Sequence, residues 1–360
     1  MHINQIRITN FRNISSAKLN FHPNINLIEG LNASGKTSLL EAIYFLSHGR
    51  SFKSTQLNRI IQHNFDNTIL YSEIIDNELN KQRIAIEKDK NSNHQLKLNY
   101  EHIKTQAEIT TLLPIQILHP GSFSLLTQGA KYRCQMLDWG AFYNQKNFFK
   151  LWSQTKHLIK QRNALLKQKP KLSILKPWNI ELEKRSETLN QIRLDYIEDF
   201  QKELNYLLPQ FNLNHLISMD YYRGWPKDQT LEETLDYHFD QEVKTGFTQY
   251  GPHRADLRLT SNKLPAADVL SRGQQKLLIS ALKIAQGLSF EKKHQSPPIY
   301  LIDDLLSELD PFSTEMILDL FKQQQAQVFI SAIDATSIKK LFDKESYQSF
   351  KIENGSIQSF

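Results

Sequence analysis

The chain has 360 residues, 40% hydrophobic and 23% charged, with only 12 Gly and 12 Pro, which excludes a disordered or fibrous protein and leaves room for two ordinary domains. One cysteine, Cys134, excludes an intramolecular disulfide, and no run reaches the roughly 18 apolar residues of a spanning helix, so a cytoplasmic protein with no membrane role of its own is expected. The net charge of +6 admits an anionic partner without requiring one.

Residues 1–10 alternate apolar and polar side chains like a strand, carry no signal-sequence pattern, and are expected to be the mature start. Strands at Ile6–Thr9 and Ile25–Glu29 lead through a Gly- and Ser-bearing turn into a helix over Ser38–Leu46. Further strand candidates at Ile69–Ile75, Arg83–Glu87, Gln95–Tyr100 and Pro114–Leu118, separated by Asp- and Asn-rich turns, predict a β-rich layer. From about Lys131 to Leu208 the pattern turns helical: Leu151/Trp152, Leu158/Ile159 and Leu165/Leu166 recur every seven residues, and Leu182, Leu189 and Tyr196 do the same. Two helices of about 30 residues each are expected, with Pro170 and Pro177 bracketing a connector over Lys171–Lys176, so that they fold back as an antiparallel hairpin. After Phe211 mixed α/β character returns, with a turn at Gly251–Asp256, a helical stretch over Lys276–Ile284 and strands at Pro298–Asp303 and Gln327–Ser331. The reading is an α/β head split by a helical arm: 1–120 as the first part of the head, 121–245 as the arm, 246–360 as the rest of the head.

Gly30-Leu31-Asn32-Ala33-Ser34-Gly35-Lys36-Thr37 matches G-x-x-x-x-G-K-[ST] between an apolar strand and a helix, the context that motif needs to cradle phosphates. The glycines let successive N–H groups converge on a β-phosphate, the helix N-terminus adds positive potential, Lys36 neutralises phosphate oxygens, and the Thr37 hydroxyl ligates Mg²⁺. Four apolar residues ending in Asp303 and Asp304 read as a buried strand delivering carboxylates at its C-terminal edge. Asp303 would hold Mg²⁺ through water, and Asp304 would orient or deprotonate the attacking water. Leu270-Ser271-Arg272-Gly273-Gln274-Gln275-Lys276 opens a helix, where Ser271 and Gly273 form either a second anion site or a simple helix cap.

A phosphate loop near the N-terminus, this L-S-x-G-Q element, the carboxylate strand and Ser307-Glu308-Leu309-Asp310 together resemble the ABC-type ATPase heads of the Rad50/SMC class. Within that class the chain resembles the RecF family along its whole length, through Ile8–Asn13, Glu41–Ile43, His48–Ser54, Gly129–Asp138 and Gly251–Arg254 as well. The resemblance implies an ATP-dependent homodimer in which Ser271 and Gly273 of one chain reach the γ-phosphate held by Lys36 of the other, with Asp310 at the seam and Ser331 at a γ-phosphate sensor position. It further implies slow, DNA-stimulated ATP hydrolysis and binding to single-stranded DNA and to linear or gapped duplex at single-strand/duplex junctions. Cooperation with RecR, and through it RecO, in loading RecA, with a role in SOS induction, is implied as well. Gly121, Ala130 and Cys134 depart from the family pattern, and His119–Ser122 offers no glutamine for Mg²⁺.

Residues 131–210 carry 15 Lys and Arg against 8 Asp and Glu, a surplus that accounts for the whole net charge. No acid occurs between Trp139 and Ile180, and Lys150, Lys156, Lys160, Arg162 and Lys167 are the candidate DNA contacts, a solvated helical face being the alternative. Trp152 and Trp178 either stack on bases or pack the hairpin, and His253 and Arg254 either anchor the head or touch a ligand. Rival readings are the ATPase subunit of another ABC-type assembly, a GTPase, an ATPase-nuclease and an SMC-like tether. The basic hairpin, the lack of an N-K-x-D element, the 50 residues after Asp310 and the short arm argue against them in turn.

Overall fold

Ile3, Ile6, Ile8 and Phe11 share the buried face of the first strand, while Arg7 and Thr9 point to solvent. Ile6 to Thr9 show the period-2 pattern of a sheet with one wet face, and an irregularity at Ile3/Gln5 shifts the phase so that Ile3 is buried as well. The computed structural model describes residues 1–54, 56–91, 93–213, 217–304 and 309–360. In chain order these form β1 (His2–Phe11), β2 (Ile14–Asn20), β3 (Ile25–Glu29), α1 (Lys36–His48), β4 (Asn67–Ile75), β5 (Lys81–Asp89), β6 (His94–Leu98), β7 (Glu101–His102), α2 (Gln106–Leu112) and β8 (Ile115–Leu118). Then come α3 (Ser124–Thr127), α4 (Ala130–Asn144), α5 (Phe148–Leu166), α6 (Leu172–Leu207), β9 (Ser218–Tyr222), α7 (Leu231–Tyr237), α8 (Phe239–Thr245), β10 (Asp256–Ser261), β11 (Leu264–Pro265), α9 (Ala266–Val269) and α10 (Arg272–His294). The chain closes with β12 (Ile299–Asp303), α11 (Pro311–Gln323), β13 (Val328–Ala332), α12 (Thr336–Lys339), β14 (Tyr347–Glu353) and β15 (Ser356–Ser359). Two compact units result, one of residues 1–122 with 290–360 and one of residues 123–289.

The first unit holds two six-stranded sheets. One is antiparallel in the order β2-β1-β4-β5-β6-β7; the other runs β15-β14-β3-β13-β12-β8, parallel except for the terminal β14–β15 hairpin. Helix α1 is apolar from Leu39 to Leu46 apart from Glu41, and it is buried nearly all round, its apolar residues sharing one core with Ile6 and Leu70 of the antiparallel sheet and Leu301 and Phe329 of the parallel one. Register in the parallel sheet sets Asp303 beside Ser331 and Ala332 beside Glu29, so the strand ends that carry chemistry lie in one line next to Gly30.

In the second unit α4 and α5 both pack along α6, and β9, β10 and β11 form a small antiparallel sheet. The two expected helices are unequal: 19 residues in α5 and 36 in α6, because the chain breaks over residues 145–147 and α4 and α5 together span what α6 spans alone. Pro177 does not end a connector. It lies inside α6, whose first residue is Leu172, leaving a loop of residues 167–171. An interior proline costs about 3 kcal/mol; here it is offset by its neighbours, Leu175 being fully buried and Trp178 packing on Leu158, Leu182 and Trp225.

The boundary expected at 245 falls instead after Ser289. The reason is tertiary: β10 pairs with β9, Asp256 facing Tyr222, and Arg133 of α4 forms a 2.7 Å ion pair with Asp256. Trp152 packs against Ala141, Phe148 and Leu189, so Trp152 and Trp178 both serve apolar cores of this unit. His253 and Arg254 are exposed in a short turn; the His253 ring nitrogen lies 3.1 Å from the Thr248 carbonyl, and Arg193 donates to the Pro252 carbonyl at 2.9 Å.

The three departures from the family pattern have local explanations. A side chain at Gly121 would come within 2.4 Å of the His119 ring, which folds over it. Ala130 is the first residue of α4, a position that tolerates Ala and Pro alike. Cys134 lies 3.4 Å from Arg193, which is already paired with Asp138 at 2.7 Å, and burial pushes its thiol up to about 11.

Candidate functional site

Glycine is required at two places in the phosphate loop. Gly35 has φ +125°, and a Cβ there would lie 2.9 Å from the Asn13 amide; at Gly30 a Cβ would lie 2.5 Å from the Ile352 carbonyl. Ala33 adopts φ +64°, so the loop curls through left-handed backbone before α1 begins at Lys36. Lys36 is buried, and its ammonium donates to the carbonyls of Gly30 (2.8 Å) and Leu31 (3.2 Å), which holds the cation against the loop.

Four predicted residues converge at the strand ends. The Thr37 hydroxyl donates to Asp303 Oδ1 at 3.0 Å, the Ser331 hydroxyl donates to the same oxygen at 2.9 Å, and the Asp304 N–H donates to Ser331 at 2.9 Å. Burial pushes the Asp303 carboxyl above its ordinary range, opposed by the hydrogen bonds from Ser331 and Thr37 and by the charge of Lys53. Asp304 has φ +52°, a conformation that Asp tolerates better than most residues. Its neighbours Ser307 and Glu308 in the predicted motif lie outside the described residues. Asp310 is exposed and caps α11, accepting from the Ser313 N–H at 2.9 Å and its hydroxyl at 2.6 Å.

Above the loop opens a cavity of about 730 Å³ lined by Asn32, Ala33, Gly35, Lys36, Thr37 and Asp304, together with Arg12, Asn13, Lys53, Asn58, Arg59 and His63. Lys36, Lys53, Arg12 and Arg59 bring four cations to a wall with one lining carboxylate, a balance that suits a polyanion. Arg12 is fixed by a two-pronged pair with the buried Glu41 (2.6 and 2.8 Å) and by the Arg59 carbonyl (2.7 Å). Sequence reasoning quoted the segments holding Arg12, Asn13 and Lys53 without giving those residues a role, and Asn58, Arg59 and His63 carry no local signal at all.

Ser271 and Gly273 belong to the second unit and are exposed. The Ser271 hydroxyl accepts from the Gln274 N–H at 3.3 Å and the Gln274 side chain accepts from the Ser271 N–H at 2.9 Å, a reciprocal cap that starts α10 at Arg272, earlier than expected.

The basic arm needs one correction. Lys150, Lys156, Lys160 and Lys167 are exposed; at 100° per residue Lys156 and Lys160 fall about 40° apart on α5, and Lys167, the residue that caps its C-terminus, continues the same side. Arg162 is not on that face. It is fully buried and paired at 2.6 Å with the equally buried Glu242, with further bonds to Asn179 and Thr248 at 2.9 Å each, so it is a core cation and no phosphate contact. Among the described residues no helix is long and apolar enough to cross a membrane.

Known proteins fall in line with this geometry. The RecF/RecN/SMC N terminal domain matches residues 2–358. The DNA replication and repair protein RecF of Francisella tularensis subsp. tularensis (strain WY96-3418) is 44% identical over 347 residues, 96% of this chain and 99% of the relative, and its counterpart in subsp. novicida (strain U112) is 44% identical over the same share. Among solved structures, the recombination mediator protein RecF-ATP in the RecFOR pathway superposes with a TM-score of 0.90 at 25% identity, over all of this chain and 97% of that one. A Smc head bound to the C-winged helix domain of ScpA shares the fold with a TM-score of 0.61 at 13% identity, over all of this chain and 97% of that one. The fold is that of an ABC-type ATPase head, and the chain belongs to the RecF family.

Proposed function

We propose that this chain is an ATP-switched DNA-repair protein that binds ATP and Mg²⁺ at the phosphate loop, dimerises over the nucleotide and acts on DNA in recombinational repair and replication restart. The observation that carries the reading is the hydrogen-bonded meeting of Thr37, Asp303, Asp304 and Ser331 at the strand ends, beside a cation-lined cavity of about 730 Å³ whose wall includes Lys36, Thr37 and Asp304. The solved RecF-ATP relative supports ATP as the ligand.

The donor set fits Mg²⁺. The Thr37 hydroxyl donates its proton to Asp303 and keeps lone pairs for a cation, and among the described residues no cluster of three His, Cys, Asp or Glu forms a self-sufficient cage. Thr37, a water held by Asp303 and the phosphate oxygens would share the ion, as a hard cation that keeps its waters prefers. When bound, Mg²⁺ neutralises charge on the β- and γ-phosphates. Lys36 anchors the phosphates, Gly30 to Thr37 wrap them, and Asp304 orients the attacking water.

The finer assignments follow the family. Ser271 and Gly273 complete the site of a second copy in an ATP-dependent homodimer, and Asp310 lies at its seam. DNA, single-stranded and linear or gapped duplex, is held along Lys150, Lys156, Lys160 and Lys167. RecR, and through it RecO, are the partners in loading RecA on gaps, with SOS induction as a consequence; hydrolysis is slow and DNA-stimulated and takes place in the cytoplasm. The test is mass in solution by light scattering, with and without ATP and gapped duplex, for wild type and Ser271→Arg. An ATP-dependent doubling of mass in wild type alone supports the two-headed clamp; an unchanged mass in a chain that still hydrolyses ATP overturns it.

A further inference from the structure

Three segments far apart in sequence meet at the phosphate loop, with Asn13 also at the cavity wall. The Ser34 carbonyl accepts two hydrogen bonds, from the Asn13 side-chain amide at 3.1 Å and from the Gly355 N–H at 2.9 Å. Asn13 lies in the turn between β1 and β2, and Gly355 in the turn of the β14–β15 hairpin, where Asn354 (φ +47°) and Gly355 (φ +81°) give the paired left-handed residues of a tight hairpin. The fit is close: a Cβ on Gly355 would lie 2.0 Å from the Asn13 carbonyl oxygen, and a Cβ on Gly35 would lie 2.9 Å from the Asn13 amide nitrogen.

In a trans peptide the C=O and N–H point in opposite directions, and rotation of the unit is stiff only when one end is held. Two donors on the Ser34 oxygen therefore fix the direction of the Gly35 N–H, and Gly35 lines the cavity. Glycine at 35 leaves that peptide otherwise free to swing, because no Cβ restricts it. We propose that Asn13 and Gly355 are positioning residues for the nucleotide phosphates: they lock the Ser34–Gly35 peptide so that its N–H is aimed at the ligand before the ligand arrives. The proposal rests on the reading that this loop holds ATP, and it makes the C-terminal hairpin part of the nucleotide site without touching the nucleotide.

The test uses the full chain with Mg²⁺ and ATP, measuring ATP dissociation constants, KM and kcat, together with unfolding temperature without nucleotide. Asn13→Ala removes one donor from an exposed turn and is expected to weaken ATP about fivefold, the worth of one net hydrogen bond. The loss falls on KM and the dissociation constant, with kcat at saturating ATP and the nucleotide-free unfolding temperature close to wild type. Asn13→Asp, which sets an oxygen against the Ser34 oxygen, is expected to weaken ATP by about tenfold or more. Gly355→Ala displaces the second donor and should weaken ATP at least as much, but its Cβ meets the Asn13 carbonyl oxygen at 2.0 Å and lowers stability by itself, so the stability criterion is read on Asn13→Ala. Wild-type ATP affinity in Asn13→Ala, or a loss confined to kcat, or a loss matched by lower nucleotide-free stability, overturns the proposal while leaving ATP binding intact. Failure of the wild-type chain to bind ATP overturns both readings.

Discussion

Replacing Arg162 by Met tests whether the arm's cations divide into one that holds the fold and several that hold DNA. Both partners of the Arg162–Glu242 pair have fully buried side chains, and the guanidinium also bonds Asn179 and Thr248. Without it, the Glu242 carboxylate stays buried and still accepts from the Gln249 N–H at 2.6 Å. Breaking a buried pair from one side costs about 3–5 kcal/mol, a large share of the ~5–15 kcal/mol that holds a domain together. For a unit of this size that corresponds to a fall of roughly 6–20 °C in unfolding temperature at ~2–4 °C per kcal/mol. Thermal circular dichroism measures it, and the double replacement Arg162→Met with Glu242→Leu should recover most of the loss, since removing both charges removes the stranded one. Anisotropy titration with gapped duplex over a salt series supplies the contrast. Lys156→Glu, Lys160→Glu and Lys167→Glu together should lower the salt slope by up to about 3, at ~0.9 per phosphate contact, at unchanged stability, whereas the double replacement at 162 and 242 keeps the wild-type slope. A reduced slope in Arg162→Met at wild-type stability, or a double replacement no more stable than the single one, would refute the division.

Lys36→Met removes the buried ammonium bound to Gly30 and Leu31, and equilibrium binding of a fluorescent ATP should fall at least a hundredfold, since a charge-assisted contact and the loop's own tie are lost together. Asp303→Asn keeps the Thr37 and Ser331 contacts in shape but removes the carboxylate charge; ATP binding should persist while phosphate release drops to background. Gly140→Ala would put a Cβ 1.8 Å from the Tyr196 ring carbon where α4 crosses α6, and overpacking should cost about 1–3 kcal/mol or more, read as a lower unfolding midpoint.

The local motifs were legible because they encode backbone geometry within a few residues. Gly30 to Thr37 needs glycines at a turn between strand and helix, and Ile299–Asp303 needs an apolar run ending in acid; both appear where the sequence placed them. The strand–turn–helix at Gly30 to Thr37 and the strand ending in Asp303 were therefore legible in the sequence, and so was the helical character of the segment between them, though not its extent. What the sequence could not settle depends on contacts between residues far apart in the chain. A basic run reads the same whether a cation meets water or a buried acid, so only the position of Glu242 separates Arg162 from Lys156, Lys160 and Lys167. A proline reads as a breaker until the packing of Leu175 and Trp178 shows what compensates it. The edge of the arm moved from 245 to 289 because β9 and β10 pair across the chain. Arg12 gains its fixed direction from Glu41, and Ser34 gains its brace from Asn13 and Gly355. Sequence determined where the glycine-bearing turn and the strand-end carboxylates lie; tertiary structure decided which cations are exposed and which are buried in pairs, because burial and pairing are properties of the folded neighbourhood and not of the local pattern.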